Sequence, residues 1–76
     1  MTEHEWIDIF GSNLESMMAE YGWTQRELAE ATGLTQATIS NYIHKRRMPT
    51  IKAIINLSYV LGCDLYDLID FGDRLD

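Results

Sequence analysis

The sequence has a single cysteine, Cys63, so no internal disulfide can staple a small core. It has a single proline, Pro49, and nothing of a proline-rich or collagen-like repeat. No apolar run approaches the roughly 18–20 residues that cross a bilayer. The opening residues, Met1-Thr2-Glu3-His4-Glu5, are acidic where a signal peptide would be basic. Alternating apolar and polar residues bounded by hairpin turns are absent too. There is no nucleophile beside a general base, no glycine-rich phosphate loop and no metal motif. His4 and His44 lie forty residues apart with no cysteine cluster to complete a metal site. These absences exclude a disulfide scaffold, a membrane-spanning protein and an enzyme, and they leave no candidate for a metal, a cofactor or a small-molecule effector. The expectation is a soluble, cytoplasmic protein with no membrane partner.

What is present is an ordinary globular composition. The 76 residues are 46% hydrophobic and 24% charged. That predicts one domain over 1–76, with a core over about 5–70 and a short polar tail after Gly72.

The net charge of −6 is unevenly spread. Residues 1–23 carry Glu3, Glu5, Asp8, Glu15 and Glu20 and no Lys or Arg. Residues 24–53 set Arg26, Lys45, Arg46, Arg47 and Lys52 against only Glu27 and Glu30. Residues 54–76 return to acid, with five Asp against Arg74. A basic middle between acidic ends can orient a protein on a polyanion. On charge alone, Lys45-Arg46-Arg47 fits a solvated loop equally well.

The whole chain reads as helix. Ile7, Phe10, Leu14, Met17, Met18 and Tyr21 recur at spacings of three and four, which predicts a first helix over about 5–21 with Gly22 as its stop. Gly11 inside it suits a place where another backbone comes close. Thr24-Gln25-Arg26-Glu27 is a capping box, with Trp23 and Leu28 at the flanking staple positions, and it opens a short second helix that Gly33 ends. Thr35 caps a third helix running to about Ile43, followed by the basic loop His44-Lys45-Arg46-Arg47-Met48. Thr50 caps a fourth with an apolar stripe of Ile51, Ile54, Ile55, Leu57, Ser58 and Leu61. Asp64 caps a short fifth holding Leu65, Leu68 and Ile69. The fold class expected is all-α, five helices in one compact domain.

Helices two and three carry the functional reading. Ala29 is small where two crossing helices must touch, and Gly33 can supply the positive φ of the tight turn between them. Leu28, Leu34, Ile39 and Tyr42 would bury the inner faces. This is a helix-turn-helix layout, whose second helix can project into a DNA major groove. Its outer face would carry Gln36, Ala37, Ser40 and Asn41 and no charge. Gln and Asn can bond adenine through paired donor and acceptor, and Ala37 leaves room for a thymine methyl. Hydroxyls such as those of Ser40, Thr35 and Thr38 suit bases or phosphates. Ordinary surface polarity is the plainer account of these residues, but a solvated helix face usually mixes Glu and Lys.

The ordered set Trp23-Thr24-Gln25-Arg26-Glu27-Leu28-Ala29, Gly33-Leu34-Thr35-Gln36-Ala37-Thr38-Ile39-Ser40, Arg46-Arg47-Met48-Pro49-Thr50 and Leu61-Gly62-Cys63-Asp64-Leu65-Tyr66-Asp67-Leu68 resembles the phage-repressor-like, or Xre-type, helix-turn-helix family (lambda-repressor-like) over about residues 10–70. The resemblance implies a five-helix domain that binds double-stranded operator DNA, usually as a homodimer on paired half-sites. It implies base reading by Gln36, Ala37 and Asn41, with Ser40 on the same face. Phosphate contacts would come from Gln25, from Thr35 and Thr38, and from His44, Lys45, Arg46 and Arg47. The sequence departs from the family where Ile43 replaces a frequent Glu, and where His44-Lys45 replaces Asn-Gly. A lysine held at positive φ there would cost about 1 kcal/mol. The acidic first helix is the third departure.

The function expected is therefore sequence-specific DNA binding by a transcriptional repressor. The alternative is a protein-interaction module, such as an antitoxin or anti-regulator partner, using the same fold through its acidic faces. Tyr66 and Phe71 are candidates for a dimer patch. Cys63 suits a small, buried apolar position better than a reactive thiol, since no basic neighbour would lower its pKa.

Overall fold

The computed structural model describes residues 2–70 and 72. Phe71, named above for a dimer patch, lies outside them, as does most of the polar tail. The described residues form five α-helices, α1 (Glu3–Tyr21), α2 (Gln25–Thr32), α3 (Gln36–Ile43), α4 (Ile51–Leu61) and α5 (Leu65–Ile69), with no strand among them.

The starts of these helices follow from side-chain caps. Thr24 Oγ1 accepts the Glu27 N–H at 3.1 Å, while the Glu27 carboxylate accepts the Thr24 N–H at 3.0 Å. Those hydrogen bonds, the Thr24 backbone one first, hold the Glu27 carboxyl below its ordinary pKa. Thr35 and Thr50 cap α3 and α4 by accepting from the Thr38 and Ala53 N–H groups, each at 3.0 Å. In α5, Asp67 accepts the Asp64 N–H at 3.0 Å. A further capping box, Thr2 with Glu5, starts α1 two residues earlier than its apolar spacing indicates. The Thr-x-x-Glu signal for it stands in the sequence at Thr2-Glu3-His4-Glu5.

The core is drawn from all five helices. Phe10, Leu14, Leu28, Ile39, Leu57 and Leu68 are its fully buried side chains. The Phe10 ring meets the Tyr42 ring edge to face, with centroids 5.5 Å apart and planes at 88°. The buried face of α1 differs from the spacing-based one. Ile9 joins it, while Tyr21, the last residue of α1, is exposed. The α4 stripe is also narrower than expected. Ala53, Ile54, Leu57, Ser58 and Leu61 are buried, but Ile51 is 75% and Ile55 50% exposed. Two asparagines knit the ends together. Asn13 Nδ2 donates to the Leu68 and Asp70 carbonyls at 3.0 Å each, and Asn56 Nδ2 donates to the Thr32 carbonyl at 2.8 Å.

Gly11 is where α1 admits the end of α3. A Cβ at this position would collide with the Tyr42 carbonyl oxygen and press on Lys45 Cγ at 3.2 Å. Gly11→Ala would ordinarily stabilise a helix interior by about 0.5–1 kcal/mol. Here the obstacle is backbone, and overpacking of this kind costs about 1–3 kcal/mol. The variant is expected to melt at a lower temperature than the parent, and a raised midpoint in a thermal melt would show that α3 can move aside.

Candidate nucleic-acid interface

Helices α2 and α3 are joined by Gly33 at φ +79°, a left-handed conformation that glycine adopts without the Cβ clash other residues meet. The Gly33 N–H closes on the Ala29 carbonyl at 3.0 Å, and the Leu34 N–H donates to Thr32 Oγ1 at 3.2 Å. Both helices of the pair bury their inner faces, through Leu28 and Ala29 on α2 and Ile39, Tyr42 and Ile43 on α3, while Leu34, expected inside, is only half-buried. Helix α3 packs on α1 and α2 and makes no backbone contact with α4 or α5 among the described residues.

That arrangement leaves the other side of α3 open. Gln36 and Ala37 are exposed, and Ser40 and Asn41 half-exposed. No carboxylate or cation lies within α3 itself. The contrast among the amide side chains is informative. Asn13 and Asn56 are engaged in holding the fold, whereas Gln25, Gln36 and Asn41 make no side-chain hydrogen bond among the described residues. Ser40 is partly occupied, its Oγ 3.2 Å from His44 Nδ1, which also lies 2.8 Å from the Ser40 carbonyl oxygen. The Thr35 and Thr38 hydroxyls lie 2.9 Å apart at the N-terminal end of α3.

The segment after α3 places the cations. Lys45 is the one described non-glycine residue at positive φ, +61°. Its N–H donates to the Tyr42 carbonyl at 3.1 Å, and the Arg46 N–H to the Asn41 carbonyl at 2.8 Å. The left-handed cost anticipated for a lysine here is therefore present. The side chain turns back over Gly11, and Nζ lies 3.7 Å from Asp8 Oδ1 on α1. An ion pair this exposed contributes at most about 1 kcal/mol. Lys45 is thus set apart from Arg46 and Arg47, which are exposed and make no ion pair among the described residues. Arg26, the remaining cation near α2, faces Glu30 at 3.4 Å.

The sequence reading had no role for Lys52, which is exposed on the first turn of α4 and likewise without an ion pair among the described residues. Its proximity to the α3 side of the molecule depends on how α4 returns after Pro49, which no local spacing encodes. Elsewhere, Cys63 is half-buried against the core, and burial pushes its thiol pKa up, which keeps it protonated. No group of three or more His, Cys, Asp or Glu among the described residues could hold a metal ion. No helix among them is long and apolar enough to cross a membrane.

Comparison with known proteins agrees with this geometry. Residues 14–68 match the helix-turn-helix family. The chain is 31% identical over 66 residues to the uncharacterized HTH-type transcriptional regulator y4dJ of Sinorhizobium fredii, covering 87% of this chain and 86% of that protein. The crystal structure of the clp gene regulator ClgR from C. glutamicum superimposes with a TM-score of 0.79 at 27% identity, over 83% of this chain and 82% of that one. The solution structure of the SOS-response transcriptional repressor LexA from Eubacterium rectale gives a TM-score of 0.82 at 25% identity, over 100% of this chain and 80% of that one.

Proposed function

The chain belongs to the helix-turn-helix family, a family of transcriptional regulators and not of enzymes, and from that premise we propose that it is a DNA-binding regulator that represses transcription by occupying an operator. Helix α3 enters the major groove. Gln36, Ala37, Ser40 and Asn41 meet base edges, with Gln36 and Asn41 suited to adenine and Ala37 to a thymine methyl. Gln25, Thr35, Thr38 and the loop cations hold the backbone, which sets register without reading sequence. The observation that carries this reading is the open, uncharged side of α3, whose two amides make no side-chain hydrogen bond among the described residues.

Repression is steric in this account, and it takes place in the cytoplasm. Two copies read paired half-sites, with their α3 helices about 34 Å apart. An apolar groove of about 190 Å³, lined by Trp6, Ile51, Ile54, Ile55, Leu65 and Ile69, supports pairing of two copies, since it draws no residue from α3 and leaves the reading side free.

The test is a mobility-shift competition between a duplex selected from a random pool and unselected DNA, at two salt concentrations. Preference for the selected duplex, with two chains per duplex, is the expected result. Binding that never exceeds that to unselected DNA would point instead to a protein-interaction module. In the same assay Arg46→Ala should weaken all sequences alike and reduce the log-affinity against log-salt slope by about one unit. An unchanged slope would remove Arg46 from the phosphate contacts.

A further inference from the structure

Three cations follow α3 in a row, Lys45, Arg46 and Arg47, and they are not held alike. Arg46 and Arg47 are exposed and make no ion pair among the described residues. Lys45 lies back over Gly11, with Nζ 3.7 Å from Asp8 Oδ1 on α1. Its side chain is 37% exposed and that of Asp8 41%, against 82% for Arg26 in the ion pair on α2. The bridge between α1 and the end of α3 is therefore the better sheltered of the two pairs.

Three further features keep Lys45 there. Its backbone alone among the described non-glycine residues is left-handed, at φ +61°, so the chain accepts a local cost where this side chain turns back. Gly11 leaves the space that the stem occupies, since a Cβ there would lie 3.2 Å from Lys45 Cγ. The helix beneath is negative throughout, with Glu3, Glu5, Asp8, Glu15 and Glu20 and no Lys or Arg. An ammonium that leaves α1 for another polyanion first gives up this attraction.

We propose that the Asp8–Lys45 bridge is an autoinhibitory contact, in which a carboxylate of α1 holds the Lys45 ammonium and keeps it off the duplex. The inference rests on the DNA-binding reading above, and it withdraws Lys45 from the loop cations that hold the backbone there until Asp8 lets go. Its effect is to weaken binding to every duplex alike and to make that binding less sensitive to salt. Base preference is left where it was, because Gln36, Ala37, Ser40 and Asn41 take no part in the bridge. Control of this cation thus sits on α1, away from the reading side of α3.

The experiment is a double-mutant cycle on the full chain, with Asp8→Asn, Lys45→Gln and the two combined. Glu15→Gln is the control, since it removes an α1 carboxylate and leaves the bridge alone. Affinity for a selected duplex and for random DNA is measured across a salt series. Asp8→Asn should tighten both by about fivefold, the equivalent of an exposed bridge that no longer has to be broken. It should also steepen the salt slope by about one unit per chain, as the control should not. Lys45→Gln should leave the slope of the parent unchanged, where Arg46→Ala flattens it. Added to Asp8→Asn, it should return affinity and slope to those of the parent. A flatter slope for Lys45→Gln alone would mean that Lys45 is already on the DNA, and the contact would not be inhibitory. An Asp8→Asn gain that survives in the double variant would also overturn it, because any lost negative charge would do the same. Either result leaves the DNA-binding reading standing. If the parent binds no duplex, that reading falls and the bridge is judged on heparin, a sulfated polyanion. Lys45→Gln should then lower the salt needed for elution in the Asp8→Asn background and not in the parent, and an equal shift in both would overturn the contact.

Discussion

Phe10→Ala is expected to lower the unfolding free energy by about 3–5 kcal/mol. Phe10 is fully buried on α1, and its ring edge supports Tyr42 on α3. Truncation would remove the transfer energy of the ring, leave a cavity and lose the edge-to-face contact. A domain of this length has in total about 4–11 kcal/mol to lose, at about 0.05–0.15 kcal/mol per residue. The variant should therefore be partly unfolded at 37 °C. Urea unfolding followed by far-UV circular dichroism measures the effect, and Phe10→Leu, which keeps most of the volume, should lose much less. A loss under about 1.5 kcal/mol for Phe10→Ala would mean that the core closes over the gap and that α1 and α3 are not held as described.

Gln36→Ala should leave the thermal midpoint unchanged and cost about 1–3 kcal/mol of binding on the preferred duplex. The side chain is exposed and makes no hydrogen bond among the described residues, so no structural contact among them is lost with it. The reading of Gln36 as a base contact adds a specific signature. The variant should tolerate substitutions at one base pair that the parent rejects, while its salt slope stays where it was, because an amide releases no counterions. A selection from a random pool with both proteins reads this directly. If Gln36→Ala and Arg46→Ala both leave affinity, base preference and salt dependence unmoved, α3 is not the reading element.

The two variants differ in how visible their sites are from sequence. The turn chemistry was legible because it is local. Thr24 with Glu27, Thr35, Thr50 and Gly33 each act within four residues of themselves, and each stands where the sequence puts it. Placing Leu28, Ile39 and Tyr42 inside followed from helical spacing in the same way. Five capped segments of helical spacing pointed to the five-helix, all-α architecture, which the described residues display.

What was not legible depends on distant neighbours. Spacing along α1 could not tell that Ile9 would be covered and Tyr21 left out, because this depends on where the other helices end. The same holds for Ile51 and Ile55 on α4. Asp8 and Lys45 are far apart in sequence and meet only because Gly11 lets the end of α3 come close. Tyr42 and Lys52 line one hollow for a comparable reason, since it opens between α3 and α4, whose backbones make no contact among the described residues. Sequence assigned Tyr42 to the interior and stopped there, since a period of 3.6 locates a side chain but not its terminal atom.

The ties made by Asn13 have a consequence for how the molecule comes apart. Helix α5 has five residues, too few to persist alone in water. It is held by Leu68 in the core and by an amide on α1 that grips the Leu68 and Asp70 carbonyls. Its order is thus borrowed from the other end of the chain. During synthesis α5 emerges after the other four helices and settles on an α1 already in place. In the finished protein its edge can fray and re-anneal, as the low-stability units of native proteins do, while the half that carries α2 and α3 stays intact.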